Sequence, residues 1–375
     1  MAAASAVTPG GRPDSRRPHR EDPRAWNRAG RLHGVDLARA LAVLGMFAAH
    51  MLTTEEEFSW GDPATWADVA NGRSSILFAV LAGVSIALVS GGPSPVAGAA
   101  LALVRRRLAV RAGVLWLIGL ALIITGVPLL IILPAYALLF LLALPLLRLR
   151  AGVLWIIAGG LALVMPWVQP ALDALPVWAG VAGETLGLAL GWGYPFPLWT
   201  AFLGAGLAAG RSDLRAARTQ VVLTAGGAAA AVIAYTADAV SRAPEDGEYL
   251  SHAWTAAAHS GGILEVVGSG GFALAVLGLC LLVCRTPLTW VLLPLRAVGT
   301  MPLTAYVGQV FAWAVLAAAT IGDVGDLGGF RALEPFWPFA LTTIAACTAW
   351  ALLLGRGPME RFVAAAARLA VPGRA

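Results

Sequence analysis

The chain of 375 residues is 59% hydrophobic and 13% charged, with a mean hydropathy of +0.77, which excludes an ordinary soluble globular protein. Its basic residues are all arginine and its net charge is +5, but there is no soluble domain on which a nucleic-acid-binding face could be built. Nucleic acid is therefore excluded as a partner, and membrane orientation becomes the reason for the arginines.

Residues 1–30 are rich in Pro, Gly, Ala and Arg and have no apolar h-region. They read as a disordered basic tail and not as a signal peptide. The next segment, Arg31 to Leu52, is an apolar helix with Asp36 and Arg39 near its start and His50 at its end. At about 100° per residue, Arg39 and His50 fall within about 20° of each other and Asp36 within about 60° of both, so all three share one stripe. Asp36 and His50 stand roughly 20 Å apart along the axis, near opposite ends of a membrane-spanning helix. Charged groups in a span are costly and mark a functional interior.

Apolar periodicity gives an all-α, polytopic bundle of about ten spans: 35–52, 74–90, 108–126, 128–147, 151–168, 195–210, 219–239, 262–284, 301–321 and 335–355. A tight turn at Thr125-Gly126-Val127-Pro128 is expected between the third and fourth. Pro166, Pro170 and Pro176 are expected to end the fifth, with Trp167, Trp178, Trp192 and Trp199 forming an interfacial aromatic belt. The glycines of 204–210 and 268–271 permit close helix approach. Most arginines fall on one side of this alternation, including Arg105, Arg106, Arg107, Arg148, Arg150, Arg211, Arg285, Arg296 and Arg361; the loops of the other side are acidic, with Glu55, Glu56, Glu57, Glu245 and Asp246. The positive-inside rule then places both termini in the cytoplasm. The expected organisation is a basic tail (1–30), a transmembrane domain (31–362) and a cytoplasmic C-terminal tail (363–375).

Chemistry can sit at either end. His50 is a candidate general base on the extracytoplasmic side, or a histidine hydrogen-bonded at the interface. On the same side Arg73, His259 and Glu265 are candidate acceptor-binding residues; Arg73 and Glu265 could equally form a buried ion pair, and His252 reads as a solvated loop residue. On the cytoplasmic side Asp36 and Arg39 are i,i+3 neighbours that can pair with each other. Alternatively Arg39 grips phosphates together with Arg105, Arg106 and Arg107; the 105–107 run is also a topology signal that contacts lipid headgroups. Thr304, Tyr306 and Gln309 bring polar atoms to membrane depth, where they seal helix contacts or border a cavity. Cys280, Cys284 and Cys347 lie in apolar segments without further ligands beside them and read as packing residues, not a metal or disulfide framework. No GxxxxGK[ST], HExxH or GxSxG motif occurs.

RLHGVDLARALAVLGMFAAHM resembles the opening R-x-x-x-[VL]-D-x-x-R-[GA]-[LI]-A motif of the heparan-alpha-glucosaminide N-acetyltransferase-like and YeiB-like membrane proteins. GRSSILFAVLAGVSIAL (Gly72 to Leu88) resembles their second span. HSGGILEVVGSGGFALAVLGLC (His259 to Cys280), RAVGTMPLTAYVGQ (Arg296 to Gln309) and GPMERF (Gly357 to Phe362) resemble the C-terminal half of the YeiB-like branch. The resemblance implies transmembrane transfer of an acyl group, acetyl in the characterised branch, from cytosolic acetyl-CoA to a sugar or other cell-envelope acceptor across the membrane. Asp36 and Arg39 would then belong to the donor end, and His50 to the acceptor end. The characterised enzyme's histidine lies further on in the loop, where this chain has Phe58, Ser59, Trp60 and Gly61 and no histidine before His252. Competing readings are a proton-coupled or solute transporter and a non-catalytic envelope protein. The expected partners are membrane lipid and an envelope sugar or lipid-linked acceptor, with self-association left open and no metal. The arginine-, alanine- and glycine-rich composition without lysine points to a bacterial plasma membrane.

Overall fold

The computed structural model describes residues 30–52, 62–241 and 253–373. Among them there is no strand, and the chain is a bundle of helices. In order these are α1 (His33–Met51), α2 (Arg73–Val89), α3 (Gly98–Ile123), α4 (Leu133–Ala143), α5 (Ala151–Asp173), α6 (Gly180–Leu190), α7 (Phe196–Gly210) and α8 (Ala217–Val240). There follow α9 (Ile263–Val283), α10 (Leu293–Thr300), α11 (Pro302–Thr320), α12 (Leu327–Ala332), α13 (Phe336–Leu354) and α14 (Pro358–Ala370). Among the described residues, seven segments are long and apolar enough to cross a membrane: α1, α2 with its preceding turn, α5, α8, α9, α11 and α13. Each of the ten expected spans meets a helix. The remaining three are shorter or more charged than a simple span: α4 and α7 are brief, and α3 carries Arg105, Arg106, Arg107 and Arg111 in its first half.

Burial separates an inner from an outer layer. In α1 and α2, 61% and 67% of the apolar window is buried, against 17% in α5 and α13, whose outer faces are left for lipid. Glycines allow the inner helices to touch. A Cβ at Gly83 on α2 would strike the Leu203 carbonyl of α7, and one at Gly206 the Val80 carbonyl. The stretch at 268–271 behaves as expected, with Gly271 set against the backbone of α8 at Gly227.

Several local expectations differ from the structure. Pro166 and Pro170 lie inside α5, which runs on to Asp173. A proline removes one backbone hydrogen bond and crowds the carbonyl a turn earlier, but in a membrane helix neighbouring groups and small local adjustments satisfy the freed carbonyl, so the helix continues through it. The connection between α3 and α4 spans 124–132 and is longer than a tight turn, although Gly126 does take a left-handed φ of 75°. Residues 180–190 form the extra short helix α6. Of the tryptophan belt, Trp178 and Trp192 stack at 4.2 Å, whereas Trp199 is a core residue, edge-on to Tyr194 at 5.1 Å. The boundary expected at 362/363 falls inside α14, whose Val363 and Ala367 are buried. The N-terminal tail, the acidic stretch at 55–57, Phe58 to Gly61, and His252 lie outside the described residues.

Arg211, at the end of α7, ties together one end of the bundle. Its Nη1 donates to the carbonyls of Ala87, Ser90 and Gly92 at 3.0, 3.3 and 2.8 Å. Its Nη2 donates to Ser90 Oγ at 2.8 Å and the Leu147 carbonyl at 2.6 Å. The residue is a buried cation that caps the C-terminal carbonyls of α2, where the helix dipole is negative.

Candidate functional site

The two ends of α1 carry different chemistry. At the first, here termed the proximal end, the buried Asp36 carboxylate is gripped from both sides. Arg31 Nε and Nη2 donate to it at 2.5 and 2.9 Å, and Arg39 Nη1 at 3.0 Å. Arg39 Nη2 donates to Ser85 Oγ on α2 at 2.7 Å. Close backbone packing holds this end: a Cβ at Gly34 would meet Leu281 on α9, and one at Gly299 on α10 would meet the Asp36 carbonyl. The buried Arg296 reaches His33 Nδ1 at 2.7 Å and donates to the Thr289 carbonyl at 2.7 Å. The i,i+3 pairing of Asp36 and Arg39 is thus real, and Asp36 has no room for a ligand. Arg31 and Arg39 retain 31% and 20% side-chain exposure, and both guanidiniums are able to meet an anion.

Glu360 of α14 completes this end. Its carboxylate accepts from the Leu303 and Thr304 backbone N–H groups at 2.8 and 3.2 Å and from the Thr304 hydroxyl at 2.5 Å, capping the start of α11. Burial pushes its carboxyl above the ordinary value. GPMERF contains this residue, but the carboxylate's partner lies 56 positions away, beyond the reach of any local pattern.

The arginine run does not act as a unit. Arg105 Nε donates to the Leu144 carbonyl at 3.0 Å, while Arg107 turns away and donates to the Val371 carbonyl at 3.2 Å. Arg105 and Arg106 instead join Arg148 around an open cavity of about 430 Å³, floored by Gly98, Leu101 and Ala102. Arg148 enters the group because the turn after α4 doubles back onto α3, which spacing alone does not reveal.

At the other, distal end His50 is half-buried in the last turn of α1. Its Nδ1 stands 3.2 Å from Gln309 Nε2 on α11. Arg331 on α12 donates from Nε to the His50 carbonyl at 3.0 Å and from Nη2 to the Ala49 carbonyl at 3.3 Å. The sequence marks Gln309 only as a polar residue at membrane depth and gives Arg331 no role. Between Arg39 and His50, the side chains of Val43, Met46 and Phe47 are buried, so the middle of the stripe is closed in this conformation.

Arg73, His259 and Glu265 gather beside this end but not as an ion pair. Glu265 accepts from His259 N at 2.6 Å, Gly261 N at 2.7 Å and Ser260 Oγ at 3.3 Å, tying down the loop that leads into α9. Arg73 instead pairs with Asp68 at 3.8 Å and donates to Tyr235 Oη at 2.8 Å, which in turn bonds Ser269 at 3.0 Å. A carboxylate saturated by its own loop leaves the guanidinium to other partners. His259 lies exposed at the loop tip with a left-handed φ of 64°.

Beneath this end, Tyr136 Oη donates to the Ser75 carbonyl at 3.2 Å, and Tyr306 Oη accepts from the Ile132 N–H at 3.4 Å. Tyr194 also borders a second cavity, of about 370 Å³, with Trp178, Trp192 and Glu184 on its walls. Among the described residues no group of His, Cys, Asp and Glu could hold a metal ion.

A bundle of apolar helices with polar clusters at both ends of one inner helix defines a multi-pass membrane protein with two chemically distinct ends. Residues 31–239, more than half of the chain, match the family described as heparan-alpha-glucosaminide N-acetyltransferase, catalytic; the chain belongs to this family, of membrane acetyltransferase type. Residues 209–369 also match a family described as a protein of unknown function (DUF418). No curated protein and no solved structure matches the chain.

Proposed function

We propose that the protein transfers an acyl group, acetyl in the simplest case, from acyl-CoA at the proximal end to a sugar or lipid-linked acceptor at the distal end. The observation that carries this is the division of labour along α1: cationic Arg39 at one end, and a half-buried imidazole held by α11 and α12 at the other. In this reading the proximal end is cytoplasmic, both termini lie there, ten helices span, and the membrane is a bacterial plasma membrane. The arginine bias supports that orientation.

The residues present suit a phosphorylated donor. Arg39 offers a guanidinium, and Arg105, Arg106 and Arg148 offer three more around one cavity; guanidinium forks match phosphate oxygens. The donor and acceptor ends are separated by roughly 16 Å of helix, and the acyl-bearing arm bridges them only if the packing around Val43 and Met46 parts. At the distal end His50 takes the proton from an acceptor hydroxyl or amine. The acceptor atom attacks the thioester carbonyl, the carbon–sulfur bond breaks, and the proton ends on the departing thiolate. Arg73 and His259 flank the acceptor's approach.

The test uses the purified full chain in lipid nanodiscs with labelled acetyl-CoA and envelope extract. Saturable acetyl-CoA binding is expected, with label appearing in an acceptor; His50→Ala should retain binding and lose transfer. If the wild type neither binds acetyl-CoA nor turns over the thioester with any extract, the reading fails.

A further inference from the structure

Gln309 is 2% exposed and faces the last turn of α1. One end of its amide stands 3.2 Å from His50 Nδ1, while the other, Oε1, is buried without a hydrogen-bond partner. One turn further along α11, the fully buried Trp313 also has an indole N–H without a partner. Its ring stacks on Phe330 at 4.0 Å and 15°, and the next residue, Arg331, holds the His50 and Ala49 carbonyls. Helices α11 and α12 therefore grip one histidine by both its ring and its backbone. Buried polar atoms left unpaired are costly and call for a reason.

The ends of a glutamine amide exchange by a half-turn of the side chain. With Nε2 toward the ring, Gln309 donates to Nδ1; the ring proton must then sit on His50 Nε2, and no outward lone pair remains. With Oε1 toward the ring, Nδ1–H donates to Gln309, and Nε2 keeps a free lone pair. We propose that Gln309 is the positioning residue for His50: its carbonyl oxygen accepts the Nδ1 proton, which selects the tautomer with a basic Nε2. This rests on the reading of His50 as the general base, but its physical content is the tautomer, which can be seen without turnover.

The experiment is nitrogen-15 NMR of histidine-labelled full-length protein in nanodiscs, with His50→Gln used to identify the His50 signals. The wild type should show the Nδ1–H form. Gln309→Leu should move His50 toward the Nε2–H form that an unconstrained histidine side chain favours. Gln309→Glu, of the same size, should keep the Nδ1–H form and raise the acid limb of the pH–rate profile, because a carboxylate stabilises the imidazolium. In Gln309→Leu, kcat should fall about tenfold or more with the KM for acetyl-CoA unchanged. A wild-type ring in the Nε2–H form, or a tautomer unchanged in Gln309→Leu, overturns the proposal. A tautomer that shifts as expected in a protein without transferase activity upholds it and overturns only the transferase reading.

Discussion

Replacing Arg211 with methionine tests whether a cation without a carboxylate can hold one end of the bundle. The guanidinium makes five hydrogen bonds, to four carbonyls and one hydroxyl contributed by α2, the loop beyond it and the turn after α4. At about 1.5 kcal/mol for each bond to a charged donor, the gross contribution is about 7 kcal/mol. Returning the guanidinium to water recovers several kcal/mol, so the net loss in Arg211→Met is about 4 kcal/mol. Lysine retains the charge and three donors but not the planar fork, and should lose about 2 kcal/mol. Thermal unfolding followed by tryptophan fluorescence in detergent micelles gives the ranking wild type, then Arg211→Lys, then Arg211→Met. If Arg211→Met unfolds within about 1 °C of the wild type, a difference of well under 1 kcal/mol, the carbonyls find other partners and the reasoning is wrong.

Arg39→Gln should weaken acetyl-CoA binding about tenfold, the loss of one charged contact of about 1.4 kcal/mol, measured by titration calorimetry in nanodiscs; unchanged affinity would remove Arg39 from the donor site. Reversing Arg148 to glutamate should weaken binding of a phosphate-bearing ligand at the arginine-lined cavity, and competition between acetyl-CoA and anionic lipid tells which ligand uses it. Glu360→Gln tests a pH dependence. Because burial raises the folded-state carboxyl above 4.5, its favourable contribution is complete below that value and lost as pH rises through the higher folded one. The wild type should lose stability across that window and the variant should not; parallel pH–stability curves would refute the assignment. Asp36→Asn should destabilise by about 2 kcal/mol by leaving the half-buried Arg31 and Arg39 guanidiniums facing a neutral amide, read as a lowered unfolding temperature.

Much of the architecture could be read from local pattern, because a lipid-exposed apolar stretch of sufficient length has few alternatives to a helix. The positions of α1, α2, α8, α9, α11 and α13 follow from hydropathy alone. What hydropathy misses is backbone detail: α5 continues through Pro166 and Pro170, and α6 appears where only a belt of tryptophans was expected. At the site, the internal pattern of α1 put Asp36, Arg39 and His50 on one helix and suggested the Asp36–Arg39 pair. It could not show Glu360 as the cap of α11 or Arg331 on the His50 carbonyl, since each depends on the path of a distant segment; Arg31, five positions before Asp36, escaped notice because it precedes the first helical turn. Of the two readings left open for Arg73 and Glu265, the direct ion pair does not form, for a related reason. Complementary charge was visible in the sequence, but the loop donors that saturate Glu265 became visible only once the loop was folded.

The fixing of α1 at both ends has a mechanical consequence. Near Gly34 and Gly299 its backbone touches α9 and α10 with no space for a side chain, and at the far end Arg331 pins its last carbonyls. A piston stroke or screw rotation of this helix would break both attachments at once. The helix behaves as a stator, while α5 and α13, each with 17% of the apolar window buried, face outward and hold the least of the core. A carrier that exposes its centre to each side in turn needs its axial element to rock. A machine that passes a small group along a fixed rail does not.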